Sequence, residues 1–401
     1  MAARAATNLF IVGAKRTPFG TFGGTLKGMS ATDLAVHATR AAIADAGVSA
    51  EAVDNVVIGN VQQTDPQAAY LARHVALKSG CAISTPAHVV NRLCGSGFES
   101  LVSAAHSILL GEASVAVAGG TESMSQAPYH LPGSMRFGTV LGQPPQMTDT
   151  LWAGLTDSHV QSPMGMTAEK LAEMYNVTRE DSDEYALASQ ARWAAAAANG
   201  VFDAEIAPVE VKGKRGKTTT FAIDEHPRPE TTLEGLGKLP TVFKKDGVVT
   251  PGAASGICDG AASVVVASEE AANKHGLNPL ARVVAWHVEG VDPTIMGIGP
   301  VPAIRGVLAK SGLSLDDIGL VEINEAFAPQ YLACERELGL DRAITNASGG
   351  AIALGHPLGA SGARIMSHLA HRVANLDVKY AIGSACIGGG QGIAVLIEKV
   401  I

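Results

Sequence analysis

A cysteine at position 94 stands in a sequence setting suited to covalent chemistry. It follows the apolar run His88–Val90 and precedes a glycine-led helical pattern, so its sulfur is predicted to lie near a helix N-terminus. There the helix dipole and the unpaired N–H groups favour a thiolate over a thiol. Most cysteines are buried and inert, however, so this position alone leaves a structural role the better explanation for Cys94.

Three further segments could supply partners for such a nucleophile. His356 lies among the glycines of 346–359, which fix the backbone and are predicted to leave the ring with little side-chain cover. Cys386 follows an apolar strand pattern, and the N–H groups of the glycines after it can point at a ligand oxygen. Asn324 comes directly after the predicted strand Leu320–Ile323, where α/β active sites usually lie. Together these residues indicate a nucleophile with a base and with groups that could bind a ligand oxygen.

The elements that must position them alternate between short β-branched runs and alanine-rich helical patterns, which predicts βαβ units. The chain has 401 residues, of which 47% are hydrophobic and 17% charged, with 45 glycines, as is typical of parallel α/β enzymes. The predicted strands are Leu9–Val12, Val56–Ile58, Val115–Ala118, Val283–Ala285, Leu320–Ile323, Tyr380–Gly383 and Ile393–Ile397. The predicted helices are Ala31–Ala46, Gly97–Leu110, Ala303–Ser311 and Ala363–Val373.

This alternation occurs twice and predicts two α/β halves, an N-terminal one over 1–272 and a C-terminal one over 273–401. A weak repeat between Leu93–Gly97 and Leu358–Gly362 indicates an internal duplication. The alternation lapses between about 121 and 250, which we interpret as an inserted loop domain. Within it we expect a helix over Arg179–Ala198 and a hairpin tip at the basic stretch Lys212–Lys217.

Bulk properties exclude several classes of function. The formal charge of −8 argues against nucleic-acid or anionic-membrane binding, and no apolar run is long enough to span a membrane. Five scattered cysteines without CxxC spacing support neither a disulfide framework nor a metal site. The opening residues, with one Arg and no acid, are compatible with a mitochondrial targeting signal or with a disordered terminus.

Four motifs, in order and spacing, resemble the signatures of the thiolase family across nearly the whole chain. They are Asn91–Gly97, Asn324–Phe327, Gly355–Pro357 and Cys386–Gly392, supported by Arg16–Gly20 and Gly119–Met124. The resemblance implies an α/β fold with a duplicated, five-layered α-β-α-β-α core and an inserted loop domain. It also implies an acyltransferase that cleaves or forms a carbon–carbon bond beside a coenzyme A thioester.

By this resemblance, His356 takes the proton of Cys94, the thiolate attacks the 3-keto carbon, and Cys386 protonates the departing acetyl-CoA carbanion or, in reverse, generates it. A thiol near its ordinary pKa suits the role of Cys386 in both directions. The resemblance implies two oxyanion sites, one from the ring N–H of His356 with a water held by Asn324, the other from the backbone N–H groups of Cys94 and Gly388.

Coenzyme A is expected as a substrate and not as a permanently bound cofactor. Arg228 and Thr231 resemble the family's nucleotide contacts, and Ser255 resembles its hydrogen-bonding residue for pantetheine. An exposed arginine and a turn serine explain Arg228 and Ser255 as well. Met164 and Met296 are expected in the acyl pocket, although packing in the core is an equal alternative.

The resemblance leans toward degradative members that act on 3-ketoacyl-CoA esters in fatty acid β-oxidation, with acetoacetyl-CoA thiolases as the alternative. A decarboxylating condensing enzyme would share the fold but lack the second cysteine, and a non-catalytic lipid-binding relative would not need Cys94, His356, Cys386 and Asn324. Family members form dimers or tetramers, so we expect a homotetramer built from two dimers. The location expected is the mitochondrial matrix in a eukaryote and the cytoplasm otherwise.

Overall fold

A computed structural model describes residues 7–213 and 216–400 of the chain. Its strands in this part of the chain are β1 (Leu9–Arg16), β2 (Gly20–Thr21), β3 (Asn55–Gly59), β4 (Ala87–Val90), β5 (Val115–Ser123), β6 (Tyr129–His130), β7 (Thr148–Asp149), β8 (Thr156–Asp157), β9 (Ser162–Pro163), β10 (Val209–Lys212), β11 (Thr218–Phe221), β12 (Cys258–Ser268), β13 (Ala281–Gly290), β14 (Leu320–Ile323), β15 (Tyr380–Ile387) and β16 (Gln391–Glu398).

The α-helices of the same residues are α1 (Ala31–Ala46), α2 (Leu71–Lys78), α3 (Ser96–Leu109), α4 (Thr150–Gly154), α5 (Met164–Tyr175), α6 (Arg179–Ala198), α7 (Leu233–Gly237), α8 (Glu269–His275), α9 (Pro300–Ser311), α10 (Ala328–Leu338), α11 (Ala351–Leu354) and α12 (Leu358–Asn375). None of the described helices is long and apolar enough to cross a membrane.

The strands of the core form two mixed sheets that meet edge to edge. In the N-terminal half the order is β4-β3-β5-β12-β1, where β3 runs parallel to both neighbours and β12 antiparallel to both. In the C-terminal half the order is β13-β16-β15-β14, where β14 and β15 are parallel and β16 is antiparallel to its neighbours. Two residue pairs, Phe10 with Arg282 and Ile11 with Ala281, join β1 to β13.

Helices cover both faces of these sheets in five alternating layers. Helices α3 and α12 pack between the two sheets, α1 and α2 cover the outer face of the N-terminal sheet, and α9 covers that of the C-terminal sheet. Side chains from both sheets and both central helices, such as Val57, Phe98, Ile365 and Ile393, share one buried core. The duplicated five-layered α-β-α-β-α core expected from the sequence is confirmed.

The two halves repeat one order of elements. The series β1-α1-β3-α3-β5-β12 corresponds to β13-α9-β14-α12-β15-β16. The segments Leu93–Gly97 and Leu358–Gly362, whose weak likeness indicated a duplication, lie at the starts of the equivalent helices α3 and α12. Helix α12 begins five residues before the predicted Ala363, because the glycines of its first turns face another backbone and do not break the helix.

Glycines bring the two central helices into backbone contact. A Cβ atom at Gly97 would lie 2.4 Å from the backbone nitrogen of Ala363, and one at Gly362 would lie 2.3 Å from that of Phe98. No side chain fits in either gap, since real Cβ contacts are wider. The starts of α3 and α12 are therefore held at a fixed separation.

The halves differ in the connection that follows their third strand. In the C-terminal half, β15 turns into β16 through Gly388, Gly389 and Gly390, whereas residues 124–257 separate β5 from β12. Helix α6 has the bounds predicted for it and starts with a capping box between Thr178 and Asp181. Strands β10 and β11 form the expected hairpin, whose residues 214 and 215 lie outside the described residues, as do 1–6 at the N-terminus.

Candidate active site

Cys94 lies in a tight turn between β4 and α3. Leu93, directly before it, has φ of 44°, a left-handed conformation that is uncommon for a leucine. The hydroxyl of Ser96 accepts a hydrogen bond from the Arg92 backbone N–H (2.9 Å) and donates to the Leu93 carbonyl (2.7 Å). These bonds close the turn and fix the direction of the Cys94 side chain.

Burial dominates the electrostatics of this thiol. It raises the pKa of Cys94 to about 11, while the backbone N–H groups of Gly388 and of Cys94 itself oppose the shift and the charge of Glu122 adds to it. The prediction of a thiolate favoured by the helix N-terminus is therefore wrong for the resting protein, because the loss of water outweighs the nearby N–H groups. A base must remove the proton before the sulfur can attack.

His356 is held by the backbone and is 6% exposed. Its backbone N–H donates to the Gly256 carbonyl (2.8 Å). Its ring Nδ1 lies 2.5 Å from the hydroxyl of Ser361, and this hydroxyl also donates to the Pro357 carbonyl (3.2 Å). Because that hydroxyl proton is engaged, we assign the ring proton to Nδ1 and the lone pair to Nε2. Although few side chains were expected to cover this ring, it is buried beside the Gly256 carbonyl and the first turn of α12.

The ring of His356 is neutral in this setting. Burial, with the nearby charge of Arg364 second, lowers the pKa of His356 to about 3. The amide nitrogen of Asn324 lies 3.3 Å from Nε2 of the ring, and the backbone N–H of Asn324 donates to the Ser384 carbonyl (2.9 Å). Among the described residues the buried side-chain oxygen of Asn324 has no hydrogen-bond partner, so it can accept one from a ligand or water.

Cys386 and Gly388 approach Cys94 from the C-terminal half. Cys386 lies inside β15, not after it as predicted, and is fully buried. Burial, followed by the charge of Cys94, raises its pKa well above the ordinary value, so the expectation of an ordinary thiol pKa is wrong. A Cβ atom at Gly388 would lie 3.2 Å from Leu93 and 3.3 Å from the sulfur of Met164, so only a glycine leaves this turn uncrowded.

Cys94 and His356 open into one apolar cavity of about 360 Å³. Met164, Met296 and Ser255 line it as well. The other lining residues are Met124, Trp152, Leu155, Pro163, Gly165, Val242, Phe243, Pro251, Ala254, Gly256, Ile257, Ala326, Phe327 and Leu358. Most of these belong to the 124–257 connection, so the long segment of the N-terminal half forms the wall opposite the reactive groups.

Arg228 and Thr231 line a different cavity, of about 480 Å³, which shares Pro251 with the first. The side chain of Arg228 is exposed and bonds the carbonyl of His226 (2.7 Å), and the hydroxyl of Thr231 donates to the carbonyl of Arg228 at 2.6 Å. The structure therefore separates this pair from Cys94 while leaving the two cavities adjacent.

Sequence reasoning missed polar residues that hold these groups in place. Glu122 was noted only as part of a family segment, yet its buried carboxylate accepts backbone N–H groups from both halves. Ser361 was noted only within the repeat, and Glu325, behind the 346–359 loop, accepts from Tyr185 (2.7 Å) and Ser189 (2.7 Å). Polar residues at the ends of buried strands were the available signal.

The remaining buried cysteines and the buried His368 have structural surroundings. Cys81, Cys258 and Cys334 are buried, and His368 pairs with Glu205 at 2.6 Å. The described residues contain no cluster of three or more His, Cys, Asp or Glu side chains that could hold a metal ion.

Known proteins are similar to this chain over nearly all of its length. Models of the thiolase N-terminal and C-terminal domains match residues 9–270 and 277–399. The chain is 60% identical to a mitochondrial 3-ketoacyl-CoA thiolase of Bos taurus and 45% identical to an acetyl-CoA acetyltransferase of Pseudomonas aeruginosa, over 98% of this chain in both cases and 98% and 99% of those proteins. The crystal structure of human mitochondrial 3-ketoacyl-CoA thiolase in complex with CoA superposes with a TM-score of 0.95, 58% identity and 98% coverage of both chains. With its core layers and both family domains accounted for, the chain is an acyltransferase of the thiolase family.

Proposed function

We propose that this chain is a 3-ketoacyl-CoA thiolase, which cleaves 3-ketoacyl-CoA with coenzyme A to acetyl-CoA and a shortened acyl-CoA in fatty acid β-oxidation. The observation that carries the proposal is the meeting of Cys94 and His356 in one apolar cavity, with Cys386 buried against it and Asn324 beside the His356 ring. The identity to mitochondrial 3-ketoacyl-CoA thiolase along the whole chain supports this substrate class.

The first step is the activation of Cys94. Nε2 of His356 holds its lone pair and is neutral, so it takes the thiol proton while the sulfur attacks C3 of the substrate. The high pKa of Cys94 keeps the thiol protonated until the substrate is bound. The oxyanion that forms on C3 accepts the backbone N–H groups of Cys94 and Gly388, both of which already face the sulfur.

The second step breaks the bond between C2 and C3. The electron pair stays on C2 as the enolate of acetyl-CoA, whose oxygen accepts hydrogen bonds from the Nε2–H that His356 gained in the first step and from a water held by the free side-chain oxygen of Asn324. The thiol of Cys386 gives its proton to C2 and acetyl-CoA leaves. A buried thiol with a raised pKa is a reluctant acid, which matches a strongly basic carbanion as the proton acceptor.

The third step returns the enzyme to its resting state. The shortened acyl group remains on Cys94 as a thioester, which the sulfur of a second coenzyme A attacks while its thiol proton passes to the Cys386 thiolate. The bond between Cys94 and the acyl group breaks, and His356 returns to Cys94 the proton that it took in the first step. One product leaves before the second substrate reacts, so the kinetics are ping-pong. The same groups in reverse order catalyse a Claisen condensation of acetyl-CoA.

Coenzyme A is the substrate that both cavities would share. Ser255 would bond the pantetheine amides, and Met164 and Met296 would contact the acyl and thioester groups. Arg228 and Thr231, in the adjacent cavity, would contact the nucleotide. The coenzyme A bound to the human relative supports this assignment, and coenzyme A is turned over in the reaction and is not a resident cofactor.

The second candidate function is that of an acetoacetyl-CoA thiolase, working in the biosynthetic direction. The acetyl-CoA acetyltransferase of Pseudomonas aeruginosa favours it, but at lower identity than the 3-ketoacyl-CoA thiolase of Bos taurus. A decarboxylating condensing enzyme and a non-catalytic lipid carrier fit less well, because neither has a use for Cys386 beside Cys94.

We further propose a division into halves at 1–272 and 273–401, with about 121–250 as the inserted loop domain, and a homotetramer of two dimers. The exposed edge strand β4 and the exposed apolar side chains of Tyr129, Phe137 and Leu141 support self-association. The location proposed is the mitochondrial matrix, or the cytoplasm outside eukaryotes. Light scattering of the purified protein would measure the assembly, and a monomer would contradict it.

The function is tested by coenzyme A-dependent cleavage of 3-ketoacyl-CoA esters with chains of increasing length. We expect thiolysis of medium and long chains, with double-reciprocal plots whose lines are parallel as ping-pong kinetics require. Activity restricted to acetoacetyl-CoA would favour the second candidate, and the absence of thiolysis with every ester would refute both.

A further inference from the structure

Glu122, at the end of β5, is a fully buried carboxylate whose four hydrogen-bond partners are uncharged N–H donors. One oxygen accepts from the side chain of Asn60 (3.0 Å) and the backbone of Gln62 (3.0 Å). The other accepts from the backbone of Val61 (3.2 Å) and of Gly359 (2.8 Å). Four donors fill the acceptor sites of a carboxylate. Burying a carboxylate without a cation is costly, so a residue of this kind needs a role that a neutral side chain would not fill.

One side of this carboxylate leads to the nucleophile. Val61, held by Glu122, accepts a hydrogen bond on its carbonyl from the side chain of Asn91 (3.3 Å). The side-chain oxygen of Asn91 in turn accepts the backbone N–H of Leu93 (2.9 Å), the left-handed residue before Cys94. The side chains of Val61 and Cys94 also pack in one apolar cluster. Three hydrogen-bonded steps thus connect Glu122 to Leu93 in the turn that aims Cys94.

The other side leads to the base. Gly359 is the second residue of α12, which begins after Pro357 without a side-chain cap of its own. Glu122 caps this helix from the other half of the molecule and complements the positive end of its dipole. The same first turn carries Ser361, whose hydroxyl bonds the ring of His356. A displacement of the α12 start would therefore move the base.

Around Glu122, the backbones of β5 and α12 are in direct contact and leave no room for further side chains. A Cβ atom at Gly120 would lie 1.9 Å from the Gly359 carbonyl oxygen, and one at Gly359 would lie 2.7 Å from the Thr121 carbonyl oxygen. The carboxylate is the side chain that crosses this contact between β5 and α12 by hydrogen bonds.

The charge of Glu122 is felt at Cys94. It raises the pKa of that thiol, and Cys94 in turn raises the pKa of Cys386. The neutral His356 ring lines the same cavity as Cys94. Burial raises the pKa of Glu122 itself to about 7 against its backbone donors, with Asp259 adding to the shift. Loss of the charge should therefore make Cys94 more acidic.

We infer that Glu122 is a positioning residue of this active site: it fastens the loop behind the nucleophile to the start of the helix behind the base, and so fixes Cys94 relative to His356. The inference rests on the proposed thiolase function. Glu122 does not line the cavity, so it acts through its hydrogen-bond partners and not through contact with the substrate.

The test is Glu122→Gln, which keeps the size of the side chain but turns an amide N–H toward one pair of donors. We expect kcat for thiolysis to fall by about tenfold to a hundredfold, the upper figure being the cost of a misplacement of about 1 Å, while KM for coenzyme A stays within about twofold. We also expect faster alkylation of Cys94 by iodoacetamide, followed by mass spectrometry, because the thiol has lost a nearby negative charge. Slower catalysis with a more reactive thiol is a signature that simple destabilisation does not give.

The matched control is Glu169→Gln. Glu169 is also a buried glutamate that accepts backbone N–H groups, those of Val248 and Val249, but it bonds neither the nucleophile turn nor α12. Its substitution should leave the alkylation rate of Cys94 unchanged. An equal change in both variants, or a kcat of Glu122→Gln within twofold of the unmodified protein, would overturn the inference.

If Glu122→Gln does not fold, Asn60→Ala tests the same inference. It removes one of the four hydrogen-bond donors of Glu122 and leaves the carboxylate in place. We expect a smaller fall in kcat at unchanged KM, and no fall would overturn the inference. The two proposals fail separately. An unmodified protein without thiolysis refutes the proposed function, whereas an active protein indifferent to both substitutions refutes only the role of Glu122.

Discussion

The helices α3 and α12 occupy equivalent places in the two halves, yet the residues before them carry opposite chemistry. Cys94 stands before α3 in a turn closed by Ser96, and His356 stands before α12, tied to Ser361. One helix start presents a sulfur whose proton is held tightly, and the other presents a neutral ring that does not take up a second proton at rest. A duplicated scaffold can thus produce an asymmetric pair by bringing two equivalent positions together.

The largest expected effect comes from removing the thiol that precedes α3. Cys94→Ala should lower the rate of thiolysis by about 10⁴-fold or more, because it removes the sulfur that carries the acyl group. Activity with a 3-ketoacyl-CoA ester measures it. Cys81→Ala, which removes a buried cysteine from the outer core of the N-terminal half, is the control and should retain activity. Thiolysis surviving in Cys94→Ala would mean that the nucleophile lies elsewhere.

A second substitution tests whether Cys386, which lies in the C-terminal half, transfers the proton to and from the α-carbon of acetyl-CoA. Cys386→Ala should slow exchange of the α-protons of acetyl-CoA by about 10³-fold, within the range typical of general acid–base catalysis. Acylation of Cys94 by a simple acyl-CoA should persist. Proton exchange in deuterated water, followed by NMR, measures the first, and Cys334→Ala, a buried cysteine on α10, is the control. Unchanged exchange would remove Cys386 from the mechanism.

A third substitution sharpens the role of the base by removing its neighbour. Asn324→Ala should lower kcat by about a hundredfold, the cost of losing one donor to a developing oxyanion, with less effect on KM. Steady-state thiolysis measures both constants. A rise in KM at constant kcat would show instead that Asn324 binds the ground state.

The smallest expected effect concerns stability and not rate. The folded pKa of His356, about 3, lies below the ordinary value of 6.5, so its contribution to stability is complete above pH 6.5 and is lost as the pH falls toward 3. Between pH 6.5 and about 4.5 this loss amounts to about 2 to 3 kcal/mol. Urea unfolding of His356→Gln should show a correspondingly weaker dependence on pH. An equal dependence in both proteins would mean that the ring is already charged when folded.

Sequence patterns predicted the fold better than the electrostatics of the site. The bounds of α1, α6 and β14 agree with the predicted ones, because alternating apolar residues and capping residues are local signals. The start of α12 was placed too late, since the packing of Gly359 and Gly362 against another backbone is a tertiary effect. The family motifs contain the candidate residues, and the structure shows the hydrogen bonds and packing that hold them in place.

The pKa predictions failed for one physical reason. A helix start after Cys94 can be read from sequence, whereas the depth of burial that raises its pKa depends on β15 and the 124–257 connection, which are distant in the chain. The same holds for Cys386. The role of Glu122 could not be predicted from sequence because its hydrogen-bond partners, Asn60–Gln62 and Gly359, are about 60 and 237 residues away along the chain.

The unequal connections after β5 and β15 have a consequence for the evolution of this enzyme. Trp152, Leu155, Val242 and Phe243, which wall the cavity, belong to the long connection, whereas the groups proposed to break bonds come from the duplicated core. Selection can therefore reshape the preferred acyl chain by mutating one contiguous stretch of the gene. The reactive groups, held on layers in backbone contact, would pass through such changes unaltered, so substrate range and chemistry can evolve as separate modules.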